Sequence, residues 1–232
     1  MNTRTILITG VNTGIGFALA SRLLNQGHIV IGHCRKTEYF GLLRLEFKAY
    51  PEERWSLYAF DLESDFTEEL EKIEAAHGVP DVIINNAGIF LNESGVMDED
   101  WANIEKTMRV NVRAPMRLCS YFAPKMKTKS WGRILNISSK MGSLEDNTSG
   151  GCLSYRMSKV ALNMYTVNLA HEMADSAIKV LCMHPGWIQT RMGGQNAPDD
   201  VEKAVDRILF GLSEEGAGFH GQFVVGSTPI PW

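Results

Sequence analysis

The chain has no run of lysine or arginine, no long apolar stretch, and only four cysteines (Cys34, Cys119, Cys152 and Cys182), none of them in a CxxC pair. With 23 basic against 27 acidic residues the net charge is −4, so the electrostatic footprint of a nucleic-acid binder is missing and any phosphate must be held locally. The longest apolar runs, such as Val82-Ile83-Ile84, are far too short to cross a membrane. Met-Asn-Thr-Arg leads straight into Ile6-Leu7-Ile8, without the charged and apolar regions of a signal peptide. Cysteines without paired spacing argue against a disulfide scaffold and against structural zinc, so a reduced, cytoplasmic protein without a metal is expected. The 232 residues, 44% hydrophobic and 22% charged, have an ordinary globular composition with room for a sizeable core.

Short apolar runs alternate with longer amphipathic segments. Thr5-Ile6-Leu7-Ile8 stops at Thr9-Gly10, and helical spacing follows at Ile15, Leu19, Leu23 and Leu24 up to Gly27. Further strands are expected near 29–33, 56–60, 81–85, 133–137, 178–183 and 222–225, with helices near 38–50, 66–77, 99–127, 155–175 and 199–213. This alternation implies βαβ units and a doubly wound α/β fold: a Rossmann-type three-layer sandwich with a mostly parallel sheet of about seven strands. No linker, repeat or low-complexity tract divides it, so residues 1–232 read as a single domain.

Gly10-Val11-Asn12-Thr13-Gly14-Ile15-Gly16 lies between the first strand and the first helix, where a tight turn aims backbone N–H groups at an anion. Its G-x-x-x-G-x-G spacing departs from G-x-G-x-x-G and lacks the Gly-Lys-Ser/Thr end of an ATP loop, which disfavours ATP and favours a dinucleotide. The second strand ends in His33-Cys34-Arg35-Lys36, without the acid that would hold an NAD ribose. Arg35 suits a 2′-phosphate, and a guanidinium–phosphate hydrogen bond of about 1.5–3 kcal/mol gives NADP(H) a preference over NAD(H) of roughly ten- to a hundredfold. The competing reading of Arg35 is a solvated surface turn. Asn86-Ala87-Gly88, after another apolar run, suits either close backbone approach to the cofactor or a plain strand-ending turn.

Tyr155 and Lys159, at i and i+4 on one helix face, can act as a pair. The spacing alone is weak, since six Tyr and eleven Lys in 232 positions produce it by chance about 0.3 times. Tyr121 and Lys125 also match, but Pro124 is expected to disturb their helix, and that copy reads as structural. Context separates the two: Ile134 to Ser139 is an apolar strand ending in hydroxyls, and Cys182 to Gly186 is a second strand ending in a turn at the same sheet edge.

Together with Asp61-Leu62, Asn111, and Pro185-Gly186-Trp187-Ile188-Gln189-Thr190, these pieces resemble the short-chain dehydrogenase/reductase family over nearly the whole chain. Within it the chain looks like the branch containing the sniffer carbonyl reductase and C-factor-like proteins. The resemblance implies reduction of a carbonyl to an alcohol with NADPH, or the reverse, on a small-molecule aldehyde, ketone or quinone. It assigns Tyr155 as general acid/base, Lys159 to the phenol and the ribose, Ser139 to the substrate oxygen, and Asn111 to a water feeding protons through Lys159. Ser139 is preferred to Ser138 by family habit, and strand alternation sends the two side chains to opposite faces. The resemblance also places Gly10, Asn12, Thr13, Gly14, Ile15, Gly16, Arg35, Asp61, Leu62, Asn86, Ala87, Gly88, Pro185, Gly186, Ile188 and Thr190 on the cofactor. Asp61 has a helix cap as its competing role, and Thr190 an ordinary turn. His184 reads as a positional hydrogen-bonding residue.

The 16-residue step from Ser139 to Tyr155 is about three longer than the family's common spacing, which leaves the loop 145–151 as either a substrate lip or inert surface. Substrate contacts are expected from 90–96, 141–153 and 187–197. The resemblance also implies subunit contacts through the helices near 99–127 and 155–175, and so a homodimer or homotetramer. Two rivals remain: a dinucleotide-binding signalling protein, and a sugar epimerase, for which the 42 residues after Thr190 leave no room.

Overall fold

The computed structural model describes residues 2–91, 96–97 and 100–232. Eight strands form one continuous sheet in the order β3-β2-β1-β4-β5-β6-β7-β8. These are β1 (Thr5–Thr9), β2 (Ile29–Cys34), β3 (Trp55–Ala59), β4 (Val82–Asn85), β5 (Gly132–Ile137), β6 (Ile178–Met183), β7 (Phe223–Val225) and β8 (Thr228–Pro229). All neighbours pair in parallel except β7 and β8. The eighth strand is the one departure from the expected seven. It is a two-residue antiparallel return, Val225 opposite Thr228, too short for any periodicity to register.

Helices α1 (Gly14–Asn25), α2 (Phe40–Phe47) and α7 (Val201–Phe210) cover one face; α3 (Thr67–His77), α5 (Ala114–Met126) and α6 (Leu153–Glu172) cover the other, and α4 (Trp101–Met108) leads into α5. Strand alternation divides the core accordingly. Ile6, Ile8, Val82, Ile84 and Leu135 face Leu19, Leu23 and Ile208, whereas Leu7, Ile83 and Ile134 face Leu70, Leu118 and Phe122. Burying such a side chain contributes roughly 1.5–3 kcal/mol, and strands covered on both sides read as unbroken apolar runs for that reason.

The expected single helix over 99–127 is instead α4, a π-helical turn (Arg109–Arg113) and α5. Pro115 cannot donate to the carbonyl of Asn111, as an α-helical ladder requires, and the Ala114 N–H reaches back five residues to Arg109. Pro124, by contrast, does not end α5, which runs on to Met126. It lies within the last turn, so the expected disturbance of the Tyr121–Lys125 helix does not occur.

The strand order reverses between β1 and β4: from β1 the chain builds toward β3, and from β4 toward β8. In open parallel sheets the crevice at the carboxyl ends of such a pair is where ligands sit.

Candidate active site

The turn after β1 and the turn after β4 are tied across that crevice. The Thr9 hydroxyl accepts from the N–H groups of Asn86 (3.1 Å) and Ala87 (3.0 Å), and Asn86 Nδ2 donates to the carbonyl of Thr9 at 2.9 Å. Gly16 can only be glycine: a Cβ there would lie 2.1 Å from the Gly10 carbonyl oxygen and 2.5 Å from Asn86 Nδ2. Thr13, which precedes α1, makes no side-chain cap and no acid stands in the first turn, so the helix end presents uncapped N–H groups.

A cavity of about 310 Å³ opens from this cradle along the sheet edge. From the sequence-derived set, Gly10 and Asn12 to Gly16 of the glycine turn, Arg35, Asp61 and Leu62, Asn86 to Gly88, Tyr155, Lys159, Pro185 and Thr190 line it. Four basic side chains (Arg35, Lys106, Lys159, Arg191) face it against two acidic ones (Asp61, Glu63), a local positive excess in a protein of net charge −4. Asp61 does not cap α3. Its carboxylate accepts from the Glu63 N–H at 2.9 Å, and Asp65 serves the first residue of α3 instead, accepting from the N–H of Thr67 at 3.0 Å.

Gly186 and Ile188 are not among the residues lining this cavity. Ile188 is buried and bridges to Asp199. Arg207 lies over Gly186, donates to the Pro185 carbonyl (3.0 Å) and pairs with Asp199 (2.6 Å), so these residues fix the base of the loop after β6. Thr190 accepts from the Gly193 N–H (3.1 Å) within that loop. His184 accepts from the Gly186 N–H, and burial brings its pKa down to about 4, which keeps the ring neutral.

Tyr155 is 8% exposed at the inner end of the cavity. Burial pushes its phenol up to about 12, and the Ser139 hydroxyl pulls the other way. Lys159 Nζ lies 5.5 Å from the Tyr155 ring centroid and donates to the carbonyl of Ile137 at 2.9 Å. Burial lowers its pKa from 10.5 to about 8, so it is largely charged at neutral pH. The Phe90 ring meets the Tyr155 ring edge-on at 5.0 Å. Against the expectation for the two serines, Ser138 lines the cavity and Ser139 is not among the lining residues; the Ser138 hydroxyl, however, is spent on Asn163, to which it donates at 2.6 Å, and Ser139 is the one that acts on the phenol. Asn111 sits behind the cavity in the π-turn. Its carboxamide accepts from the Ile89 N–H (2.8 Å) and donates to the Ile89 carbonyl (2.9 Å) and to Ser158 Oγ (3.0 Å).

The other Tyr–Lys pair packs elsewhere. Tyr121 donates to Glu74 at 2.6 Å, Lys125 pairs with the same carboxylate, and the three pin α5 to α3. His33, Tyr39, Lys106 and Val110 line the cavity without having been found in the sequence, while Arg191 and Met192, which also line it, fall in the 187–197 stretch expected at the substrate. Only Lys106 and Val110, spaced i and i+4 just before Asn111, carried a signal that helical periodicity could have exposed. Of the stretches expected at the substrate, Asn92 to Gly95 lie outside the described residues.

The doubly wound sheet, the cradle at its switch point and the tyrosine–lysine pair define a Rossmann-type oxidoreductase scaffold. The chain belongs to the short chain dehydrogenase family, whose sequence model matches residues 4–201. The C-signal protein of Myxococcus xanthus is 36% identical over 159 residues, 67% of this chain and 94% of that relative. The solved structure of the carbonyl reductase Sniffer of D. melanogaster superposes with a TM-score of 0.91 at 30% identity over all of both chains. An NADPH-bound carbonyl reductase from chicken fatty liver superposes at 0.89 with 26% identity, again over both full lengths. Among the described residues no helix is long and apolar enough to cross a membrane, and no cluster of three or more metal-ligating side chains occurs.

Proposed function

We propose that the chain, acting as one dinucleotide-binding domain in the cytoplasm, reduces the carbonyl of a small aldehyde, ketone or quinone to an alcohol, with NADPH as the preferred cofactor. The observation that carries this reading is the buried Tyr155 phenol lining the cavity, with the Lys159 ammonium beside its ring and the Ser139 hydroxyl acting on it. A cradle that only glycine fits at position 16, an uncapped helix end and a local excess of positive charge suit a pyrophosphate, and exposed Arg35 suits a 2′-phosphate. When bound, the cofactor supplies the hydride.

The chain supplies the proton and the geometry. With its pKa near 12, the Tyr155 phenol is protonated at neutral pH and competent as a general acid toward a carbonyl oxygen. Ser139 donates to the oxygen that gathers charge, and the Lys159 ammonium stabilises the phenolate left behind. Oxidation asks for that phenolate at the start, roughly five pH units below its pKa, so the resting site is poised for reduction. Both N–H groups of the Asn111 carboxamide are spent on Ile89 and Ser158, so its part in a proton relay through Lys159 rests on oxygen acceptors. Asp61, Leu62, Asn86 to Gly88, Pro185, Gly186, Ile188 and Thr190 complete the cofactor's surroundings, with Gly186 and Ile188 acting through the loop backbone. Phe90 against Tyr155 and exposed Trp187 and Met192 beside the cavity favour an apolar substrate. Exposed Met116 on α5 and Met164 on α6 support a homodimer or homotetramer.

The resemblance to a protein named C-signal favours a second reading, a dinucleotide-binding signalling protein without turnover. NADPH consumption by the purified chain against a panel of aldehydes, diketones, quinones and ketosteroids tests the choice. Turnover lost in Tyr155→Phe supports the reductase; NADPH binding without any turnover favours the signalling protein.

A further inference from the structure

Tyr155, Lys159 and Asn163 follow one another at i, i+4 and i+8 along α6, so all three project from the same face toward β5. The first two reach the cavity. Asn163 stops short of it, 3% exposed, and its carboxamide is spent on three other segments. Its Oδ1 accepts from Ser138 Oγ at 2.6 Å, just past the end of β5, and from Cys182 Sγ at 2.9 Å, on β6. Its Nδ2 donates at 3.1 Å to the carbonyl of Gly142, in the one-turn helix 140–142.

Ser139 lies between the first and third of these partners. It follows Ser138 directly and opens the turn that ends at Gly142, and its hydroxyl oxygen accepts from the Met141 N–H at 3.2 Å. Both chain directions leading away from Ser139 are therefore fixed to one side chain, on the same helix that carries Tyr155, the phenol on which Ser139 acts. Burying an amide here carries a desolvation cost that an apolar side chain of the same branched shape, such as leucine, would avoid. What an apolar side chain cannot do is hold two turns in register with a catalytic hydroxyl, where a displacement of about 1 Å can cost on the order of a hundredfold in rate.

We propose that Asn163 is a positioning residue that sets the Ser139 hydroxyl against the Tyr155 phenol by clamping Ser138 and Gly142 to α6. The inference rests on the reading of Ser139 and Tyr155 as the reacting pair, yet the contact itself can be observed without turnover.

The test uses the full chain labelled with [13Cζ]tyrosine, with the Tyr155 resonance assigned by its disappearance in Tyr155→Phe. Ser139→Ala gives the shift caused by losing the serine hydroxyl. Asn163→Leu is expected to move the resonance in the same direction by at least half as much, and Ser139→Ala added to it moves the resonance little further. Ser138→Ala, which removes one contact with almost no change in volume, is expected to give a smaller shift of the same sign, and it carries the test if Asn163→Leu does not fold. In turnover, kcat of Asn163→Leu falls roughly tenfold or more while KM for NADPH stays within about twofold. A Tyr155 resonance unmoved by Asn163→Leu (or by Ser138→Ala where the former does not fold), or effects of Asn163→Leu and Ser139→Ala that simply add, overturns the proposal. Resonances that behave as stated in a protein that never consumes NADPH uphold the clamp and count against the reductase reading.

Discussion

Lys159 makes the fold less stable than it could be, and the size of that effect follows from its surroundings. The residue is 5% exposed, and among the described residues its one hydrogen bond goes to the Ile137 carbonyl. Burial moves its pKa from 10.5 to about 8. At pH 7 the lysine is charged in both the folded and the unfolded chain, and the gap between about 8 and 10.5 disfavours the folded form by about 3 kcal/mol. Above pH 8 the folded chain loses the proton first, so this penalty shrinks with rising pH and is gone by about pH 10.5. Methionine at this position matches the stem and removes the charge, while leaving the Ile137 carbonyl unpaired at a cost of about 1 kcal/mol. Lys159→Met is therefore expected to be about 2 kcal/mol more stable than the wild type at pH 7, to lose most of that advantage by about pH 9.5, and to reduce no carbonyl. Urea unfolding of both proteins at the two pH values measures this. A variant no more stable than the wild type at pH 7, or an advantage that does not shrink as pH rises, would refute the reasoning.

Gly16→Ala forces a Cβ to 2.1 Å from the Gly10 carbonyl, so it is expected to abolish NADPH binding and to lower stability by a few kcal/mol, read by fluorescence titration and thermal unfolding. Arg35→Ala is expected to cut the ratio of NADPH to NADH specificity constants roughly ten- to a hundredfold, and an unchanged ratio removes Arg35 from the 2′-phosphate site. Tyr121→Phe loses the hydrogen bond to Glu74 and is expected to cost about 1 kcal/mol in denaturant unfolding while leaving carbonyl reduction at the wild-type rate.

The layered fold was readable because buried parallel strands are unbroken apolar runs and the helices between them keep helical spacing. Val82-Ile83-Ile84 and Ile134-Leu135 both fell where expected. Strand β8 escaped because two residues ending in a proline have no period. The π-turn escaped because its cause, the missing N–H of Pro115, acts on the backbone hydrogen-bond ladder, which apolar periodicity over so short a stretch does not report. At the site, the glycine turn and the Tyr155–Lys159 pair announce themselves by spacing that chemistry requires. Lys106 does not, since it reaches the cavity from a helix flank, and Arg191 was legible only as part of the stretch 187–197, in a loop whose course is set by distant contacts such as Arg207 with Asp199. The two Tyr–Lys pairs differ in the same way: both share one helix face, and only tertiary packing puts one against Glu74 and the other against Ser139. The reason for setting the Tyr121 copy aside was wrong in detail, because Pro124 falls within the last turn of α5 and leaves the helix intact.

The most direct measurement follows the hydrogen itself. The wild-type protein is given NADPH carrying deuterium at the transferring position and a carbonyl that it turns over, and the product alcohol is weighed by mass spectrometry. One deuterium on the former carbonyl carbon, absent from the product of Tyr155→Phe under the same conditions, is the predicted result. An alcohol without deuterium, or equal transfer by Tyr155→Phe, would contradict the assignment of Tyr155 as the proton donor in a hydride-transfer reductase.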